Sequence, residues 1–361
     1  MERNGYESCY DFSMATLTEV GYYTRRGIKY GAIGFVVIIL TPIILGGIKK
    51  LYLILRPPPP PPPTVRYGKL PALSFTRTDP NYSPSYRLET VDGKLPQLPN
   101  VGKVYLVDVN KSRLKELDGI KAKAKILGFV NDPTSNDDIV FEFKHPTLPA
   151  TLIVNVIYGS YEYKYDWTID QALYSGQNPP AQDRAFLEAK GFFQSLGILS
   201  ADLSSGTPKT TFFQAQPPEM LPSRSLSEAN FVRIDLFRAN VDNLPFITPA
   251  FTTSPVYVIF SGSTDRDKRV IEAQYAYSKT LDKESSTYPL KGVDVAWQEL
   301  QEGKGSIAVR SLATGEVVIR KIYLAYYESR DPQEFIQPVY VFEGDGGFVG
   351  YVPAVASAYL Q

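Results

Sequence analysis

YGAIGFVVIILTPIILGGI, residues 30–48, runs for 19 residues without a charge, and its reading decides how the chain is organised. A helix needs about 20 apolar residues to cross a hydrocarbon core of about 30 Å, so the run reads as a transmembrane helix. Arg25, Arg26 and Lys29 precede it, and Lys49, Lys50 and Arg56 follow it. Pro42 can kink such a helix without forbidding it, because neighbouring groups re-satisfy the freed backbone. The apolar core is longer than the roughly 7–15 residues of a cleaved signal peptide, and prolines follow it instead of a small-residue cleavage site. We therefore expect an uncleaved signal-anchor at 30–55 behind a short cytoplasmic head at 1–29. Basic residues at both ends blunt the positive-inside rule. The shortness of the head favours a plasma-membrane topology with the N-terminus inside and the long C-terminal domain outside. Gly27 and Gly31 form a small-xxx-small pair of the kind helix dimers use, but they sit at the entry of the span, where packing is weakest.

Residues 57–63 are seven consecutive prolines. Such a run adopts polyproline II at about 3.1 Å per residue, a stiff spacer of roughly 20 Å. Docking by an SH3-like partner is the rival reading, and a position against the membrane disfavours it. Gly, Pro, Ser and Asn continue through residues 66–84, so 56–84 reads as a Pro-rich stalk and linker.

The 361 residues balance 38 Lys and Arg against 38 Asp and Glu. A duplex-binding surface shows as a basic excess, so no nucleic-acid partner is expected. The single cysteine, Cys9, allows no intrachain disulfide and no cysteine zinc cluster, and the single histidine, His145, allows no multi-imidazole metal site. A thiol-free stretch after Cys9 suits an oxidising exterior. With 25 Tyr and 19 Phe the body should be folded and β-rich.

The fold expected for the remainder is α+β, with two antiparallel-sheet-rich modules. In the first, at 85–170, strands are predicted at 86–91, 103–109, 139–143 and 151–158. Ser112 is the predicted cap of a helix carrying Leu114, Leu117, Ile120, Ala124 and Leu127 at helical spacing. A helix over 181–196 and a polar, Pro-rich bridge fill 171–229. The second module, at 230–361, carries strands at 230–237, 256–261, 270–280, 306–312, 317–327, 336–343 and 347–354, with a helix at 293–300. Residues 313–315 and Asp345-Gly346-Gly347 supply hairpin turns. Arg87-Leu88-Glu89 with KVYLVDV echoes Arg233-Ile234-Asp235 with PVYVIFS, which suggests that the modules are related.

Four C-terminal segments carry a further pattern: YPLKGVDVAWQELQEG, VVIRKIYLAYYESR, EFIQPVYVFEG and FVGYVPAV. A short helix with Ala296 and Leu300 precedes a strand ending at Leu324 to Tyr327. A strand with Pro338 to Tyr340 follows, then a last one at Tyr351 to Ala354. This run resembles the C-terminal module of bacterial YycH/YycI-type regulatory proteins. The resemblance covers about the last 75 residues, and it is absent from the first module and the proline tract. It implies PepSY-like extracytoplasmic modules and a protein-binding role, restraint of a sensor histidine kinase, without catalysis.

Other constellations point more weakly to chemistry. Ser112 and Lys115 match Ser-x-x-Lys, but the companion elements of that nucleophile are missing, and a helix cap explains the serine. Asp132, Asp137 and Asp138 in NDPTSNDD fit no calcium-loop spacing and suit a turn. The run Asp265 to Arg269 reads as a solvated loop, and His145 as a loop residue. Glu343 and Asp345 suggest paired carboxylates but flank a glycine turn. Tyr158, Tyr161, Tyr163 and Tyr165 alternate, and Tyr323 and Tyr327 lie elsewhere. Such ladders bind partners or simply stabilise sheets. No catalytic, cofactor-binding or metal residue is therefore assigned, and no cofactor is expected. The expected partners are the bilayer and another membrane or envelope protein. A structural envelope spacer and an envelope hydrolase without Cys or His chemistry are the alternatives.

Overall fold

The computed structural model describes residues 17–55, 61–75, 82–108, 113–175, 178–312 and 315–361. The chain divides into two compact units, residues 1–62 and 63–361. The first is built on one helix, α1 (Leu17–Leu55), with Pro42 inside it. Within it Val20–Tyr52 is long and apolar enough to cross a membrane, and its apolar side chains are exposed. Thr41 bonds back to the Val37 carbonyl at 2.7 Å, one turn before the position where Pro42 lacks an N–H. Cys9, Arg56 and prolines 57–60 lie outside the described residues.

The second unit is a mixed α+β, sheet-rich body. β1 (Tyr86–Leu88), β2 (Val101–Val107) and α2 (Arg113–Ile126) lead into β3 (Thr134–Ser135), β4 (Val140–Lys144), β5 (Ala150–Asn155) and β6 (Ser160–Tyr165). Then α3 (Gln182–Ser195) and α4 (Ala201–Ser205) precede β7 (Pro208–Gln216), β8 (Glu219–Ser223) and β9 (Phe231–Leu236). β10 (Phe246–Ile247), β11 (Val256–Ser261), β12 (Val270–Tyr275) and β13 (Thr280–Pro289) follow. Last come α5 (Val293–Gln301), β14 (Ser306–Val309), β15 (Val317–Tyr327), β16 (Phe335–Gly344) and β17 (Val349–Pro353).

These strands form two sheets. A nine-stranded one runs β3-β4-β5-β6-β12-β11-β9-β7-β8. An eight-stranded one runs β1-β15-β16-β17-β14, with β10 also on β15, β2 on β16 and β13 on β2. The sheets do not follow the segments 85–170 and 230–361. Tyr163 of β6 pairs with Ala273 of β12, and β2 pairs with β13 and β16, so both stretches contribute to both sheets. The sequence echo has no topological counterpart either. β9 and β11 are neighbours, whereas β1 lies on β15 and β2 on β13 and β16.

Strand register explains the core. Phe143, Leu152, Tyr163, Ala273, Val258 and Ile234 stand side by side across the nine-stranded sheet. Successive side chains alternate faces, so this row is apolar while its neighbour row carries Glu142, Glu162, Gln274 and Asp235. α2 through Ile120 and Ala124, and α3 through Ala185, Ala189 and Phe193, join that core. In the other sheet Ala296 and Leu300 of α5 pack with Ile319, Leu324, Tyr340 and Phe342. The turn read at Asp345-Gly346-Gly347 is present, with both glycines in the left-handed region that favours them.

Two expectations need correction. The polar stretch before residue 228 contains the β7–β8 hairpin, turning at Pro217-Pro218. β8 holds Pro222 at the sheet's edge, where a missing N–H costs no ladder bond. Nor is the described part of 66–84 a free linker. Val65 N–H donates to the Thr287 carbonyl (3.0 Å), Leu70 N–H to Tyr359 (2.8 Å), and Gln361 N–H back to Leu70 (2.9 Å). Leu70 is 0 % exposed. Beyond it Gln337 Nε2 donates to the Pro71 carbonyl (2.8 Å), and Phe75 meets Tyr327 edge to face with ring centroids 5.0 Å apart. Residues 64–75 are a strap sewn into the eight-stranded sheet.

Candidate functional site

The two sheets meet where several strands end together. β9 leaves the nine-stranded sheet at Leu236, and Arg238 follows within two residues. β15 ends at Tyr327, and Glu328 is next. Tyr277 lies just past β12, and Asp202 is in the first turn of α4. The segment between β9 and β11 crosses from one sheet to the other, and its β10 pairs in parallel with Tyr326 and Tyr327.

Arg238 organises this junction. Its Nε donates to Asp202 Oδ2 (2.6 Å), and its Nη1 to Glu328 Oε1 (3.0 Å) and to the Ser278 carbonyl (2.9 Å). The guanidinium lies 4.0 Å from the Phe246 ring centroid and 4.6 Å from that of Tyr277, so aromatic faces complete its shell. Tyr277 Oη donates to both Asp202 oxygens (2.9 and 3.0 Å), and Ser200 Oγ donates to Oδ1 (2.5 Å). Ser278 N–H donates to Glu328 (3.2 Å), and Ala239 N–H to the Asp202 carbonyl (3.0 Å). The Arg238 and Glu328 side chains are almost wholly buried, at 2 % and 4 % exposure, so each charge depends on these partners.

This network floors an open cleft of about 590 Å³ lined by Asp108, Tyr158, Leu199, Ser200, Lys279 and Thr280 among others. Lys279 and Asp108 close an ion pair at 2.8 Å on its wall. A second anchor lies beside it. Asp242 and Asn243 take left-handed φ values of 51° and 62° in a two-residue turn closed by Val241 and Leu244. Asn and Asp tolerate that region better than most residues. Asp242 accepts from Tyr105 Oη (2.5 Å) and Lys103 Nζ (2.9 Å), which fixes the crossing segment to the eight-stranded sheet.

The charges respond to one another. Burial pushes the Glu328 carboxyl above the usual carboxylate range, and Arg238 only partly opposes it. Burial would also raise Asp202, but Arg238, Ser200 and Tyr277 outweigh it and hold that carboxyl below its usual range. Burial pushes the Tyr277 phenol up to about 12. A carboxyl raised by folding binds its proton more tightly folded than unfolded. Glu328 therefore favours folding most at low pH, and that contribution is lost as pH rises through its folded pKa. Asp202 acts oppositely, and its contribution is lost only as pH falls through its depressed value. Glu328→Gln should accordingly flatten the fall in stability with rising pH just above the ordinary glutamate range. Denaturation midpoints of the wild type and the variant across that window test this, and parallel curves would refute it.

The residues singled out from sequence lie elsewhere or serve the fold. Ser112 is outside the described residues. Asp132 pairs with Lys121 (2.7 Å), and Asp137 accepts the N–H groups of Ile139 and Val140 (both 2.9 Å) in a turn. Among the described residues no three His, Cys, Asp or Glu gather as a metal site. Asp265 caps a short turn, Lys268 pairs with Asp170 (2.6 Å), and Arg269 grips Glu188 (2.8 Å). His145 Nδ1 accepts from Leu148 N–H (3.0 Å). Glu343 accepts from Tyr323 (2.5 Å) while Asp345 holds Arg320 (2.6 Å), so the two carboxylates serve different partners. Tyr163 and Tyr165 are buried and Tyr161 packs edge to face with Tyr275 (6.4 Å between ring centroids), so these three belong to the core. Tyr158 alone of that set lines the cleft.

Arg238, Asp202, Glu328 and Tyr277 were not singled out from sequence. Their signal is faint: a charge placed directly after an apolar strand, as in VRIDLFR and IYLAYYE.

No family model matches this chain, and no curated protein matches it. Several solved structures are distantly similar, two of them as follows. One is an uncharacterized protein from Eubacterium rectale ATCC 33656, 11 % identical over 72 % of this chain and 84 % of that one, with a TM-score of 0.41. The other is the Bacillus megaterium YpeB C-terminal domain, 13 % identical over 66 % of this chain and 92 % of that one, with a TM-score of 0.31. At these scores neither assigns a function.

Proposed function

We propose that this chain is a membrane-tethered extracytoplasmic interaction protein that binds another membrane or envelope protein without catalysing a reaction. A sensor kinase is the first partner to test, on the strength of the C-terminal resemblance to YycH/YycI-type regulators. The observation that carries the proposal is the pairing of an apolar, fully exposed helix in Val20–Tyr52 with a large sheet-rich body. A non-catalytic role draws support from the cleft, whose buried charges are engaged with each other. Asp202, Arg238, Glu328 and Tyr277 form a closed set of hydrogen bonds, a pattern suited to holding a shape. A peptide or loop of the partner would enter the cleft beside Tyr158 and Lys279.

The test is affinity capture of the tagged full-length chain after mild detergent extraction, read by mass spectrometry. One stoichiometric membrane partner is the expected result, lost or weakened when Tyr158 and Lys279 are both changed to alanine. Recovery of the bait alone would overturn the reading.

A further inference from the structure

α1 is far longer than a bilayer requires. At about 1.5 Å per residue its 39 residues measure roughly 58 Å, while the uncharged stretch 30–48 takes up about 28 Å. Tyr22, Tyr23, Arg25, Arg26 and Lys29 lie just before that stretch, Tyr30 opens it, and the only acid in the helix sequence is Glu19. Tyr22, Arg25, Arg26 and Lys29 recur at intervals of three, four and seven, which places them on one helix face.

The side chains are organised there. Arg26 Nη1 donates to Tyr22 Oη at 3.1 Å, and its guanidinium lies 5.6 Å from the Tyr22 ring centroid and 6.0 Å from that of Tyr30. Two tyrosines thus steady one arginine at the edge of the span. Arg25 and Lys29 are exposed to solvent beside it. All three cations fall within about 8 Å of Tyr30 along the axis, the depth of one headgroup layer. A guanidinium fork suits a phosphate, and tyrosines belong at this level of a bilayer. The other end differs in chemistry: Lys49 and Lys50 are compact ammonium groups, without the planar guanidinium fork.

We propose that Arg25, Arg26 and Lys29, steadied by Tyr22 and Tyr30, bind the headgroup phosphate of anionic phospholipids. The inference rests on the membrane-span reading of α1. Each basic residue near an anionic surface strengthens attraction about fivefold, so the three together supply on the order of a hundredfold.

The experiment places the full-length chain in nanodiscs of phosphatidylcholine and phosphatidylglycerol and counts retained lipid by native mass spectrometry. Wild type should retain phosphatidylglycerol in preference to phosphatidylcholine. A variant with Arg25→Gln, Arg26→Gln and Lys29→Gln should lose at least tenfold of that preference, and one with Lys49→Gln and Lys50→Gln should keep it. No preference in wild type, or equal loss in both variants, would overturn the proposal. Alkaline extraction of native membranes separates this failure from that of the underlying reading. A chain released by alkali sinks both, whereas one that stays integrated without lipid preference sinks the headgroup site alone.

Discussion

Arg238→Met should lower the unfolding free energy by about 3–5 kcal/mol, the usual cost of removing one partner from a buried ion pair. Methionine fills much of the volume, so the loss is electrostatic. Glu328, at 4 % side-chain exposure, would keep a buried carboxylate without its cation, and Asp202 would lose the same partner. The crossing segment would lose a cation that Phe246 and Tyr277 now enclose. Combining Arg238→Met with Glu328→Gln should recover part of the loss, because the second change removes the stranded charge. Changing Arg66, whose ion pair with Glu284 is exposed on both sides, should cost no more than about 1 kcal/mol. Urea denaturation of the detergent-solubilised chain measures all of these. A loss below about 1 kcal/mol for Arg238→Met would mean that the trio does not hold the sheets together.

What was legible in the sequence follows from where each residue's partners lie. β11 and β15 fall at their expected limits, Val256–Ser261 and Val317–Tyr327, because long apolar runs with β-branched and aromatic residues need no distant context. α3 and α5 carried helical periodicity and fall within a residue of their expected starts. β13 was missed because TLDKESSTYP looks like a solvated loop. Its Ser286 is buried because the strap supplies partners, Arg66 N–H at 2.9 Å and the Thr64 hydroxyl at 2.8 Å. The cleft was illegible for the same reason. Arg238 meets Asp202 across 36 residues and Glu328 across 90, and no local pattern announces such a meeting. The apolar helix was the opposite case, since length and composition alone define it.

Leu70→Asp should release the strap, because a carboxylate placed at a site with 0 % exposure must either stay buried unpaired or pull the segment into water. Leu70→Ala is the milder control, at about 2–5 kcal/mol for a truncated core leucine. Release would break the Leu70 bridges to Tyr359 and Gln361 and expose the Tyr67 and Leu88 side of that core. It would also change the tether. With the strap in place the body is gripped from Thr64 onward, directly after the proline run. Without it, the freed residues 64–75 would add as much as about 40 Å of extended chain. Limited proteolysis of the full-length chain reads this directly: Leu70→Asp should be cut between 64 and 75 at least tenfold faster than wild type. Equal rates would mean that the strap's grip does not depend on Leu70. If the body must meet its partner at a fixed height, the same variant should weaken partner capture while leaving the Arg238 junction intact, because among the described residues the two sites share no hydrogen bond.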